Sequence, residues 1–298
     1  MSQQSELQQP VVAVLGLGAM GHAFAANLIK KGFTTRVWNR TTSRGDDLVS
    51  AGATRGTTPR ETVEGADVVI TMLSDGKTSL EVYQGDNGLL AGLKQGGIIA
   101  QMGTLGVEAT ESLIALIKAQ RPDVVFFDAP VSGTKAPAEQ AQIVVLASGD
   151  REAGAAVETV FAAISKATKW LGEAGRASRM KLVVNAWLIA MMEGIAETTQ
   201  LAEELGFTTD DLWSVLEGGP LAAPYIKGKM EMFKSGDYTP QMQLTWALKD
   251  INLALEAGSK LELPVMKRIS ETWQGAVGAG YGDQDLAVVY RYLGDEQS

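Results

Sequence analysis

The sequence predicts a two-domain α/β chain: an N-terminal doubly wound parallel sheet over residues 1–172 and an all-helical C-terminal part over 173–298. Two patterns carry this prediction. In the first half, short β-branched apolar runs alternate with amphipathic stretches, the signature of βαβ units whose sheet is covered on both faces. After residue 172 the strand runs stop, and a long stretch without proline begins at 174. VVAVLGL (11–17) reads as a buried strand, and AMGHAFAANLIKKG (19–32) as a helix stopped by Gly32. TTRVWN follows as a strand, SRGDDLVSAG as a helix, and DVVITML (67–73) as a strand. GGIIAQM (96–102) and DVVFFDAP (123–130) are two further strands, with GVEATESLIALIKAQ as the helix between them. QIVVLASG (142–149) is expected to add another strand to the parallel sheet. The stretch 174–206 predicts one helix of roughly 30 residues, about 45 Å long. Its middle is apolar over much of its circumference, which calls for burial on several sides. Helical segments are expected near 209–217, 221–234, 241–258, 264–279 and 284–293.

Composition narrows the function. Apolar residues make up 45%, enough for a sizeable core. The formal net charge of −9 argues against a general nucleic-acid binder, whose affinity comes from a basic surface. There is no cysteine, which excludes thiolate nucleophiles, thiolate metal sites and disulfides. A single histidine, His22, excludes a multi-histidine metal site, and no metal is expected. The polar opening MSQQSELQQP lacks the basic start and apolar core of a signal peptide. LVVNAWLIAMM (182–192) is interrupted by Asn185 and too short to span a bilayer. A cytoplasmic protein without a membrane partner is the expectation.

The glycine loop carries the first chemistry. Gly16-x-Gly18-x-x-Gly21, with Leu17, Ala19 and Met20 between, follows a strand and opens a helix, the context that the dinucleotide fingerprint requires. Gly16 permits the tight turn, Gly18 lets the backbone approach a pyrophosphate, and Gly21 lets helix and strand pack closely. The helix N-terminus adds N–H donors and a partial positive charge. The alternative is a plain βα turn. At the end of the second strand, where an NAD site would place a carboxylate for the ribose, stand Asn39, Arg40 and Thr41, with Arg44 one turn later. A guanidinium pairs with a 2′-phosphate, so this pattern predicts NADP(H). The alternative is a solvated basic helix start. His22, just past Gly21, is expected to face the diphosphate region or the interdomain cleft, without a catalytic role.

VLGLGAMGHAFAANLIKKG, DAPVSGTKAPAEQAQIVVLASGD, GRASRMKLVVNAWL and LKDINLALEAG occur in the order found in the β-hydroxyacid dehydrogenases, which the chain resembles from about residue 10 to 293. It looks most like the branch of glyoxylate and succinic semialdehyde reductases, and is similar to the imine reductases through VWNRT. The resemblance implies a Rossmann domain, a long interdomain helix, a homodimer interlocked through the helical domains, and hydride transfer at a cleft between the domains. It places Lys181 at the catalytic lysine position, as the acid that stabilises and protonates the oxygen of a carbonyl gaining hydride. Asn185, four residues on, shares its helical face and would orient the lysine or bind the substrate oxygen. A snorkelling lysine and an asparagine bonding between helices are the structural alternatives. Ser132, Gly133 and Thr134 match the substrate-binding segment, suited to a carboxylate; the family often has glycine where Thr134 stands. Leu73 and Ser74 match positions beside the cofactor ribose, Thr104 one that touches cofactor and substrate, and Lys249 one that closes over the nicotinamide. Asp250 would meet substrate or serve structure.

The implied activity is NADPH-dependent interconversion of a small aldehyde or keto acid and its hydroxy acid. Imine reductases usually carry Asp or Tyr at the position of Lys181, which favours carbonyl over imine reduction, since an iminium gains nothing from a nearby ammonium. Trp187, Trp213, Tyr225, Met230, Met232, Phe233, Met242 and Trp246 would line a larger pocket or serve core and dimer interface. Imine reduction on the same fold and a non-catalytic NADP-binding scaffold are the alternatives.

Overall fold

The computed structural model describes residues 9–295; the first eight residues of the polar opening stretch lie outside it. The chain folds as two compact units, Met1–Lys181 and Leu182–Ser298.

The first unit opens with β1 (Val12–Leu15), α1 (Ala19–Lys30), β2 (Thr35–Trp38), α2 (Asp46–Ser50), β3 (Thr54–Arg55) and α3 (Pro59–Val63). It continues through β4 (Val68–Thr71), α4 (Gly76–Tyr83), α5 (Leu89–Gly92), β5 (Ile98–Gln101), α6 (Val107–Gln120) and β6 (Val125–Asp128). These six strands form one parallel sheet in the order β3-β2-β1-β4-β5-β6. The period-2 geometry of a strand sends successive side chains to opposite faces, and both faces are apolar here. Val12, Val14, Val68 and Ile70 pack with Phe24 and Leu28 of α1. Ala13, Leu15, Val69 and Ile99 pack with Leu113 and Ile117 of α6 and Val82 of α4. Burial on both sides explains why these strands read as continuous β-branched runs.

The last strand run departs from the expectation. After β7 (Val131–Ser132) and α7 (Lys135–Glu139), β8 (Ile143–Ala147) does not extend the parallel sheet. It runs antiparallel to β7 and parallel to β9 (Ser165–Trp170), which follows α8 (Ala155–Ile164), in a separate three-stranded sheet. The chain between β6 and β8 is taken up by β7, which pairs antiparallel with β8, and by the five-residue α7, so no covering helix carries it across to a parallel neighbour. A two-way backbone pairing of Asp128 with Ser148 joins the two sheets.

Helix α9 (Arg176–Glu204) is 29 residues long and contains the unit boundary. The second unit continues with α10 (Thr209–Leu216), α11 (Pro224–Ser235), α12 (Leu244–Ala257), α13 (Pro264–Ala276) and α14 (Val289–Asp295). Its core gathers Ile189, Met192, Phe233, Leu244, Ile251 and the fully buried Trp273. Several polar groups inside this core are paired, while the buried Tyr225 hydroxyl has no hydrogen-bond partner among the described residues. The Trp273 indole N–H donates to Glu193 Oε2 at 2.5 Å. Lys229 Nζ meets Asp285 Oδ1 at 2.6 Å, and the other oxygen of Asp285 accepts from the backbone N–H groups of Gln241 and Met242. No helix among the described residues is long and apolar enough to cross a membrane.

Candidate active site

In the parallel sheet, the strand order turns about β1 and β4, so the crossovers from these two strands leave in opposite directions. Open α/β sheets bind ligands in the crevice at the carboxyl ends of such strands. Gly16 stands at the end of β1 with φ +96°, and a Cβ there would lie 2.3 Å from the carbonyl oxygen of Met72, which follows β4. A Cβ on Gly21 would lie 1.9 Å from the Gly16 carbonyl oxygen. Packing alone therefore demands both glycines. Gly18 is different: its φ of −69° suits any residue, and a Cβ would meet nothing within 4 Å. The fold leaves open space at Gly18, and no side chain caps the first turn of α1. This arrangement fits the pyrophosphate of a dinucleotide, which needs close backbone approach and helix N-terminal donors.

Asn39 shapes the loop from within. Its Oδ1 accepts from Leu17 N at 2.9 Å and its Nδ2 donates to the Thr41 carbonyl at 3.0 Å. Arg40, Thr41 and Arg44 are exposed. Nearby acids have partners of their own: Asp46 pairs with Arg55 at 2.5 Å, and Asp47 Oδ2 lies 2.8 Å from His22 Nε2. No ion pair of Arg40 or Arg44 occurs among the described residues, which leaves two guanidinium groups beside β2 for an anion. His22, expected to face the diphosphate region or the interdomain cleft, meets the Asp47 carboxylate.

Leu73 is buried behind the glycine loop, and Ser74 donates to Asp75, the N-cap residue of α4, at 2.6 Å. Thr104, half-buried, lies in a turn that the Gln101 side chain braces through two bonds to Gly103, at 2.7 and 2.9 Å. Ser132 ends β7, half-buried. At Gly133 φ is +135°, and a Cβ would stand 2.7 Å from Cγ2 of Ile143, so this turn needs glycine. Thr134 occupies the N-cap position of α7 without a side-chain capping bond.

Lys181 lies in the second turn of α9 with only 9% of its surface exposed. Lysine is among the residue types least often buried. The start of α9 is tied to the sheet by residues to which the sequence assigned no role. Ser178 donates its N–H to Asp128 Oδ2 at 2.7 Å and its hydroxyl to Asp128 Oδ1 at 2.6 Å, while Ala177 N donates to Ser148 Oγ at 3.0 Å. An acid closing the apolar run VVFFD was the one available signal.

Within the helical unit, Asn185, Asp250 and Lys249 form one cluster. Asn185 Nδ2 donates to Asp250 Oδ2 at 2.5 Å. Lys249 Nζ stands 3.1 Å from Asp250 Oδ1, as an ion pair. Asp250 is only 4% exposed. Of the eight bulky residues considered for the pocket, Met230 and Phe233 are core, and Trp213, Tyr225, Met232 and Met242 pack against that core. Trp187 and Trp246 are exposed.

Comparison with known proteins agrees with this architecture. A family model described as the NAD binding domain of 6-phosphogluconate dehydrogenase matches residues 11–172, and one for NAD-binding of NADP-dependent 3-hydroxyisobutyrate dehydrogenase matches 175–293. The chain is 34% identical to glyoxylate/succinic semialdehyde reductase 1 of Arabidopsis thaliana, over 93% of this chain and 96% of that protein. It is 32% identical to the human cytokine-like nuclear factor N-PAC over 94% of this chain, spanning 51% of that protein's length. Among solved structures, a reductive aminase from Aspergillus terreus in complex with NADPH and ethyl levulinate superposes with a TM-score of 0.62 at 25% identity, covering 96% of this chain and 99% of that one.

Proposed function

Since the chain belongs to the family of NAD(P)-dependent hydroxyacid dehydrogenases that includes 3-hydroxyisobutyrate dehydrogenase, we propose that it is an NADPH-dependent reductase of a small aldehyde or keto acid of the glyoxylate or succinic semialdehyde type. The open backbone at Gly18 and the uncapped start of α1 would hold the pyrophosphate. Arg40 and Arg44, with Thr41, would hold the 2′-phosphate, two charge-assisted contacts that NADH cannot make. Leu73, Ser74 and Thr104 would border the ribose and nicotinamide, and Lys249 would close over that end. When bound, the reduced nicotinamide supplies the hydride that the carbonyl carbon accepts.

The buried Lys181 is the observation that carries the reading. As hydride reaches carbon, the C=O π electrons move onto oxygen, and a proton must follow. An ammonium within reach stabilises that charge and delivers the proton, giving the hydroxyl of the product. Asn185, one turn further along α9 and bonded to Asp250, would fix the substrate oxygen beside it. Ser132, Gly133 and Thr134 would bind the substrate carboxylate through hydroxyl and backbone donors.

Imine reduction is the second reading, favoured by the likeness to the reductive aminase structure. Lys181 speaks against it, since a protonated imine needs no further proton donor at nitrogen. A panel of glyoxylate, succinic semialdehyde and cyclic imines, with NADPH or NADH, separates the two. The proposal expects tighter binding of NADPH and faster turnover of the carbonyls. Faster imine turnover would establish the second reading, and NADPH binding without turnover of any substrate would make the protein a non-catalytic nucleotide binder.

The proposed assembly is a homodimer through the helical parts. Met180, Val183 and Trp187 recur at three- and four-residue spacing on α9 and are exposed, as are Leu201 and Leu205 near its end. Such a stripe on one helix is the kind of face that a second subunit covers.

A further inference from the structure

We propose that Asp128 is a positioning residue for the chemistry of Lys181, its carboxylate holding the first turn of α9 in the register that presents the lysine to substrate; the inference rests on the function proposed above. Aspartate is rarely fully buried, yet Asp128 has no exposed surface at the end of β6. Its two oxygens are spent on one helix start. Oδ2 accepts the Ser178 N–H at 2.7 Å, and Oδ1 accepts the Ser178 hydroxyl at 2.6 Å. Ser148 Oγ lies 3.3 Å from Oδ2 and itself accepts the Ala177 N–H at 3.0 Å. The Thr110 hydroxyl of α6 stands 3.2 Å from Ser178 Oγ. The second and third N–H groups of α9, which no helical carbonyl can satisfy, are thus capped from the sheet rather than from the preceding loop. A negative charge at this end also complements the helix dipole. Burial pushes the Asp128 carboxyl up, and its bonds with Ser178 and Ser148 pull it back.

The placement links two segments of the candidate site. Lys181 follows Ser178 by three residues, about one helical turn. Ser132 follows Asp128 by four, on a strand paired with β8, and the end of β8 is held to Asp128 by backbone bonds of 3.0 and 2.8 Å. One carboxylate therefore fixes the proton donor's turn relative to the substrate-binding strand. Neither Ser178 hydroxyl nor Asp128 carboxylate is free to act on substrate directly, since both are buried and bonded to each other. Proton delivery is sensitive to such positioning: a misplacement of about 1 Å costs on the order of a hundredfold in rate.

The test compares the wild type with Asp128→Asn and Ser178→Ala, using succinic semialdehyde and NADPH or its C4-deuterated form. Asparagine cannot accept both Ser178 donors, and the Ser178→Ala chain keeps the backbone bond while losing the hydroxyl. Both variants are expected to bind one NADPH per chain within about threefold of wild-type affinity. Turnover should fall about a hundredfold in D128N and about tenfold in S178A. The deuterium isotope effect on turnover should rise, because the chemical step becomes slower relative to product release. A structural defect alone would lower the number of NADPH sites and leave the isotope effect unchanged, and that result overturns the proposal. Wild-type turnover in folded D128N or S178A overturns it as well, and S178A decides the matter if D128N does not fold. If the wild type itself turns over no carbonyl in the panel, the functional reading fails and takes this inference with it; active wild type with unaffected variants removes the role of Asp128 alone.

Discussion

Glu193 offers a stability prediction that can be worked from the structure. This carboxyl sits inside the helical unit, 5% exposed, with the Trp273 indole N–H on one oxygen. Burial is the main force on it and raises its pKa from 4.5 to about 7; the Trp273 bond opposes the rise, Glu197 adds to it, and Arg268 opposes it. Between pH 4.5 and about 7 the folded chain keeps a proton that the unfolded chain has released. Stability contributed by this site is therefore fully present below about pH 4.5 and is lost as pH rises toward 7. The displacement corresponds to roughly 3 kcal/mol. Glu193→Gln keeps an acceptor for the indole and cannot ionise. Relative to wild type, this variant should be about equally stable near pH 4.5 and more stable by up to roughly 3 kcal/mol at pH 8. Urea unfolding of both proteins across this range, followed by tryptophan fluorescence, gives the difference curve, in which the other titrating groups cancel. A flat difference curve, or a Gln variant less stable throughout, would rule out a raised Glu193 pKa in the folded chain.

Further outcomes follow from the site and the core. Gly18→Ala should fold with wild-type stability, because its Cβ meets open space, yet weaken NADPH binding at least tenfold in a fluorescence titration; Gly21→Ala should lower the melting temperature, because its Cβ would overlap the Gly16 carbonyl. Equal melting points for the two would contradict the distinction. Replacing Arg40 and Arg44 together with alanine should cost roughly 3–6 kcal/mol of NADPH binding and leave NADH affinity nearly unchanged, since charged hydrogen bonds contribute about 1.5–3 kcal/mol each; parallel losses for both nucleotides would argue against a 2′-phosphate contact. Asp285→Ala strands the buried Lys229 ammonium and should cost about 3–5 kcal/mol in denaturant unfolding. A cost below about 1 kcal/mol would show that solvent reaches the site.

The parts that were legible in the sequence are those where a residue type has one physical use. Gly16 and Gly21 stand where any Cβ would strike backbone, so the loop announced itself. The absence of proline in 174–206 marked the long helix, and the continuous β-branched runs marked the parallel sheet. An apolar run does not say which sheet it joins, and IVVLA of β8 is equally apolar in either. β9, SKATKW, was invisible because lysines at 166 and 169 break the apolar pattern on its exposed face. The candidate site divides the same way. Lys181 was found through the motif around it, but its burial is a property of the fold. Asp128 and Ser178 are separated by 50 residues, and nothing local in either segment specifies the partner. Asn185 and Asp250, 65 apart, likewise meet only after folding.

Replacement of Lys181 by alanine probes the proposed proton donor itself, with turnover of succinic semialdehyde and NADPH affinity measured on the same preparation. If this ammonium is the proton donor, turnover falls by about a hundredfold to ten-thousandfold, while NADPH binds within about threefold of wild type, because the nucleotide contacts are assigned elsewhere. A K181A protein that reduces the aldehyde at the wild-type rate would contradict the account.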